Sequence, residues 1–255
     1  MSNNFRALGL PIETQDDYTA LIEGALEAGD FLPTERGGYV RYDMGHGIEV
    51  WVQVNAAGEV TGGKVHFVGE SRMRLKVDHL ITAEEGAEVA VYGWMGAHRR
   101  TANEAWPILC DLPGYYARAE PAEAGETVVA QIAAFARELI CYPDEDAFKR
   151  AQSPDSERTA DDFVPLGLFT QDADADEIVM SETPQPYAAF AGTIRGLRRV
   201  TQRRDSLDFW VLNVASNGAL FDVVAAPATL DGTPTEGGIV DGMFYLSAHL
   251  LHALA

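Results

Sequence analysis

An α+β fold in which antiparallel sheet dominates is predicted by three observations. Period-two apolar runs recur at both ends of the chain, an Asn-Gly pair joins two of them, and helix-period stripes are few. The predicted arrangement is a helix-plus-β-meander unit over 1–118, an acidic helical connector over 119–186, and a small barrel over 187–255.

The first element is a helix over Gln15 to Ala28. Tyr18, Leu21, Ile22, Ala25 and Leu26 form one apolar stripe at helical spacing, Thr14 with Asp17 reads as a capping box, and Gly29 is expected to end the helix at positive φ. Strands follow. Ile48, Val50, Val52 and Val54 alternate with Glu49, Trp51 and Gln53; Asn55 to Gly58 supplies a turn, and Val65 to Val68 returns. Met73, Leu75 and Val77 alternate with Arg72, Arg74 and Lys76, which places the three cations on one strand face. Val89 to Trp94 and Pro107 to Leu112 are two further strands.

In the connector, Val128, Ile132, Phe135, Ala136 and Leu139 mark a second amphipathic helix that stops before Pro143. A helical turn is expected over Asp146 to Ala151. Acidic loops then run through Asp162 and through Asp172 to Glu177, and Pro184 and Pro186 favour an extended link. Beyond it, Phe190, Gly192 and Ile194 alternate with Ala191 and Thr193. Leu207 to Asn213 forms the next strand, and Asn217-Gly218 turns it back into Ala219 to Val224, because a type I′ turn needs positive φ at both central residues. Ile239 to Leu246 is the last strand. No internal repeat is evident. The span 187–255 is expected to survive proteolysis as a fragment once 153–186 has been cut.

The run Gly192 to Arg195, the hairpin Asp208 to Val224 and the strand Gly242 to Leu246 together resemble a small barrel of the OB type. The whole chain is similar to a family of uncharacterised bacterial proteins in which a Gly-Ile-Glu-Val-Trp-Val strand, here Gly47 to Val52, precedes such a barrel. That resemblance implies no activity. OB barrels often bind single strands or oligosaccharides, but a fold does not fix a function.

The chain of 255 residues carries 39 acidic and 19 basic side chains, a net charge of −20. Twelve of those excess negative charges fall within 119–185, the composition of a solvated, soluble segment. Such a chain repels duplex nucleic acid at long range. No apolar run reaches the roughly 18 residues needed to span a bilayer, and Met1 to Arg6 lacks the features of a secretory signal, so a cytoplasmic protein is expected. Cys110 and Cys141 lie among apolar neighbours and read as core thiols, not as a disulfide framework or a zinc site.

Catalytic signatures are incomplete. Asp172, Asp174 and Asp176 match the start of a calcium loop, but Glu177 and Thr183 stand where Gly and Glu are required. His249 and His252 lack a third ligand and read as exposed imidazoles, while His46, His66, His79 and His98 are scattered singly. Gly69-Glu70-Ser71-Arg72-Met73 lacks the second glycine of a nucleophile elbow. Gly62-Gly63-Lys64-Val65 is not a phosphate loop, and Gly45-His46-Gly47 is not a dinucleotide fingerprint. Neither metal nor cofactor is implied.

Two basic spots are the candidate contact residues: Arg195, Arg198, Arg199, Arg203 and Arg204, and the strand face of Arg72, Arg74 and Lys76. Guanidinium presents a fixed fork of donors suited to carboxylate or phosphate. The function class expected is a non-catalytic binding or protein-interaction module whose partner is a protein or a small anionic ligand. Asp205 and Asp208, the acids close to the arginine cluster in sequence, cannot neutralise all five guanidinium groups, so the cluster is expected to contact the acids of 119–185 in preference to nucleic acid. The competing class is a hydrolase that uses a carboxylate pair hidden among the many acids.

Overall fold

A computed structural model of the protein describes residues 4–82, 88–96, 105–117, 121–171, 178–202 and 207–253. The chain is rich in strand and poor in helix. The helices among the described residues are α1 (Asn4–Ala7), α2 (Gln15–Ala28) and α3 (Glu145–Ala151), the last two at their predicted places.

α2 begins on the predicted capping box: Thr14 Oγ1 accepts from the Asp17 amide at 3.1 Å, and Asp17 Oδ2 accepts from the Thr14 amide at 2.8 Å. Its end differs from expectation. Gly29 has φ −88°, and its need for glycine is spatial, since a Cβ there would lie 2.6 Å from Val40 Cγ1. Ile22 and Ala25 of α2 pack on Val40, Val50 and Val52. Those valines belong to a four-stranded antiparallel sheet of β1 (Asp30–Thr34), β2 (Gly37–Gly45), β3 (Ile48–Asn55) and β4 (Val60–Phe67) in that order.

A larger, mixed sheet holds β5 (Met73–Thr82), β6 (Val89–Met95), β7 (Trp106–Asp111), β8 (Thr127–Tyr142), β9 (Asp162–Pro165), β12 (Tyr187–Gln202), β13 (Leu207–Ser216), β14 (Ala219–Ala225), β15 (Leu230–Asp231) and β16 (Ile239–Ala253). Between β9 and β12, β10 (Phe169–Gln171) and β11 (Ile178–Met180) pair only with each other among the described residues. The Asn217-Gly218 turn joins β13 to β14 at φ 48° and 70°, as its sequence requires.

The helix predicted over Val128 to Leu139 is instead the middle of strand β8. Every residue from Ala130 to Ala136 is buried. A strand covered on both faces loses the alternation that marks a half-buried strand, so its apolar run is open to a helical reading. Pairing decides the outcome. One edge of β8 bonds in turn to β5, β14 and β15, and the other edge bonds along most of its length to β16.

β8 and β16 form the shared wall of two closed circuits. One runs β5–β6–β7–β16–β8, the other β12–β13–β14–β8–β16. Each circuit has a three-strand meander, one parallel contact and the same two long strands. The sheet therefore crosses the boundaries expected at 118/119 and 186/187, and it contains a topological repeat that the sequence did not reveal. Between this sheet and the first lies a second core of Phe5, Leu8, Ile48, Phe67, Phe135 and Phe209. Among the described residues, no helix is long and apolar enough to cross a membrane.

Candidate ligand cleft

Asp222 stands in an apolar strand, Leu220-Phe221-Asp222-Val223-Val224, and is buried. A carboxylate removed from water needs donors, and it has them. Oδ2 accepts from the Ser71 hydroxyl at 2.6 Å, the Ser71 amide at 3.0 Å and Gln131 Nε2 at 2.8 Å. Oδ1 accepts from the Glu70 amide at 3.3 Å and lies 3.5 Å from Asn213 Nδ2. Gly69 permits this closure, because a Cβ there would overlap the Asp222 carboxyl.

The network extends inward. Gln131 Nε2 also donates to the Phe67 carbonyl at 3.2 Å, so its Oε1 is the face turned to His66 Nε2, 2.8 Å away. His66 therefore donates from Nε2, and its Nδ1 accepts from the Ser247 hydroxyl at 2.8 Å. His66 and Ser247 are fully buried, which makes this Ser–His contact part of the packing and closes it to substrate. His249, expected to be exposed, is buried. Its ring stacks on His66 at 3.6 Å and meets Trp51 edge-on, and Trp51 Nε1 donates to Glu49 Oε2 at 3.0 Å. Strand alternation at β16 turns it into the inter-sheet space.

Above Asp222 opens a cleft of about 270 Å³. Its walls are Phe67 to Glu70, Gly196 to Arg198 on β12, and Val211 and Asn213 on β13. The register of β12 slips between Ile194 and Gly196, so Arg195 is an extra bulge residue and Gly196 leaves open space at the cleft. Arg198 is exposed, with its guanidinium 5.7 Å from the Phe67 ring centroid, and it forms no ion pair among the described residues.

The other predicted contact residues are dispersed. Arg199 forms a bidentate pair with Asp208, at 2.8 Å and 2.7 Å, beside the Trp210 ring. The pair raises the guanidinium pKa of Arg199 and lowers that of the Asp208 carboxyl. Its acid is thus on the neighbouring strand and not in 119–185. The charge contact that does join that span to β16 has the opposite polarity: Arg158 holds Asp241 at 2.9 Å and 2.7 Å. Arg195 is exposed, and Arg203 and Arg204 lie outside the described residues. Arg72 donates to the carbonyls of Gly69 and Ser71 at 3.1 Å and 2.6 Å, bracing the loop that holds Asp222. Arg74 and Lys76 share the exposed face of β5. Of the predicted residues that are described, only Arg198 lines the cleft.

The calcium-like run Asp172, Asp174 and Asp176 also lies outside the described residues. Elsewhere among them, no three His, Cys, Asp or Glu side chains gather as a metal site. What sequence reasoning missed was Asp222 and its partners. The available signal was an acid inside an apolar strand, and Ile108-Leu109-Cys110-Asp111-Leu112 carries the same signal. Comparison of the chain with protein-family models, with curated proteins and with solved structures finds no match.

Proposed function

We propose that the protein is a non-catalytic binding module whose Arg198 cleft takes a small ligand bearing one anionic group on a flat apolar body. The observation that carries this reading is the Arg198 guanidinium, set at the cleft over Phe67 and free of ion pairs among the described residues while its neighbour Arg199 is consumed by Asp208. Phe67, Val68, Leu197 and Val211 offer the apolar surface, and Asn213 adds an amide.

The carboxylate-pair hydrolase is less well supported. Asp222 is committed to the donors of Ser71, Gln131 and Glu70, which leaves Glu70 as the one exposed carboxylate on the cleft. The closed circuit of β12, β13, β14, β8 and β16 supports an OB-like reading of the carboxy-terminal strands, with β8 supplied from outside 187–255. Two buried free thiols support a reducing, cytoplasmic setting.

Fluorine NMR with 4-fluorobenzoate and its neutral analogue 4-fluorobenzamide tests the ligand class. The benzoate resonance should broaden on adding protein, less so at high salt, and R198Q should weaken binding about tenfold. Equal broadening of the amide, or an unchanged R198Q titration, would overturn the assignment.

A further inference from the structure

The Arg198 cleft carries charge of both signs, and its two exposed charged side chains do not neutralise each other. Glu70 and Arg198 both line it, both are exposed, and neither forms an ion pair among the described residues. Elsewhere on the surface such charges close on one another, as Arg199 does on Asp208 and Arg158 on Asp241.

A third charge lies at the floor, where the two oxygens of Asp222 are unequally held. Oδ2 accepts from Ser71 and Gln131 at 2.6 to 3.0 Å, and neither of those residues lines the cleft. Oδ1 accepts from the Glu70 amide at 3.3 Å and lies 3.5 Å from Asn213 Nδ2, and both Glu70 and Asn213 do line it. The more weakly held oxygen is therefore the one on the cleft side. Asp222 is buried, yet no cation pairs with it among the described residues. Its charge is balanced by neutral donors alone, and burial keeps water from screening it.

The cleft thus sets one positive group, Arg198, against two negative ones, Glu70 and Asp222. A simple anion satisfies the guanidinium and is opposed by both carboxylates. A zwitterion satisfies both signs, with its carboxylate on Arg198 and its ammonium on the acidic side. Asn213 turns its Nδ2 to Asp222, which leaves its Oδ1 as a further acceptor for that ammonium.

We infer that the ligand of this cleft is a free aromatic amino acid, whose ammonium is held by Glu70 above the buried charge of Asp222. The inference rests on the reading of Arg198 as the anion contact and adds the second charge that the ligand must carry. Phe67, Val68 and Val211 supply apolar surface for its ring. The volume of about 270 Å³ is below that of a drug-sized site and suits one such molecule.

Fluorine NMR titration of the full chain compares 4-fluorophenylalanine with 3-(4-fluorophenyl)propanoate, the same molecule without its amino group. The amino acid should bind about three- to tenfold more tightly. E70Q should weaken the amino acid about threefold and leave the propanoate unchanged or tighter, since it also removes a repulsion. That divergence separates a lost ion pair from a general disturbance. E70Q should also melt at the parent temperature, because the side chain is exposed and the backbone amide that bonds Asp222 is kept. 4-Fluorophenethylamine, which has the ammonium without the carboxylate, should bind more weakly than the amino acid. Absence of saturable binding of 4-fluorophenylalanine, equal affinity for it and the propanoate, or an equal response of the two to E70Q would overturn the inference. If the propanoate is then still weakened by R198Q, the anion site stands without it. Indifference of both ligands to R198Q would remove the anion site and the inference together.

Discussion

Ala133 and Ser247 face one another across the β8–β16 pair, and each is also the lateral partner of a buried aspartate: Asp222 beside Ala133, Asp111 beside Ser247. The relation continues two residues earlier on each long strand. Gln131 hydrogen-bonds Asp222, and Tyr245 lies close enough to Asp111 to favour its charged form. The two circuits are thus related by a pseudo-two-fold axis near the Ala133–Ser247 pair. The halves differ in the counter-group: Asp222 is held by neutral donors, whereas Asp111 takes the Lys64 ammonium at 2.6 Å.

Asp222→Ala should destabilise the protein by about 2–4 kcal/mol, because it removes the shared acceptor and leaves the Ser71 amide and one of the two Nε2 hydrogens of Gln131 buried without a partner. Urea unfolding checks this. A loss below about 0.5 kcal/mol would mean that the network is not a stabilising hub.

Asp111 predicts a pH dependence of defined sign. Burial pushes its carboxyl above the ordinary aspartate range, against the lowering effect of Lys64. A raised folded-state pKa contributes stability that is fully present below the unfolded value, about 3.9, and lost as the pH rises through the folded value. In a carbon-13 NMR titration, Asp111 should titrate later than exposed aspartates, and later still in Lys64→Met. An Asp111 midpoint at or below theirs would contradict the assignment.

The segment 187–255 made alone should lack a cooperative unfolding transition. Without β8, one edge of β14 and one edge of β16 are open, and Val240, Phe244 and Leu246 lose their cover. A sharp calorimetric transition in the isolated segment would show that β8 is dispensable to it.

Both thiols should be silent to a disulfide reagent in the native protein and react together in denaturant. Burial raises Cys110 far above the ordinary thiol range and pushes Cys141 up to about 11, so little thiolate forms at neutral pH. Rapid native reaction of one equivalent would place a thiol at the surface.

Short-range features were legible in the sequence. The Thr14–Asp17 box, the Asn217-Gly218 turn and the alternation of Met73, Leu75 and Val77 with Arg74 and Lys76 each depend on residues a few positions apart, so local sterics and a single solvent boundary suffice to specify them. Arg198 was singled out as a cation, but its separation from Arg199 was not foreseen, because it rests on which arginine meets Asp208 across the β12–β13 register.

What the tertiary structure alone decided is β8 and everything built on it. Its run from Val128 to Leu139 is compatible with helix or strand until partners occupy both edges, and those partners, Met73 to Lys76, Asp222 to Val224 and Ile239 to Ala253, come from distant parts of the chain. The same is true of the polar hub. Ser71, Gln131 and Asp222 are brought within hydrogen-bonding distance by the closed circuits, and Arg137 meets Asn4 because α1 packs against β8. Composition and local pattern determine which residues prefer strand, turn or burial. Which buried polar groups become partners depends on long-range pairing, since a donor and its acceptor carry no mark of one another across a hundred residues of sequence.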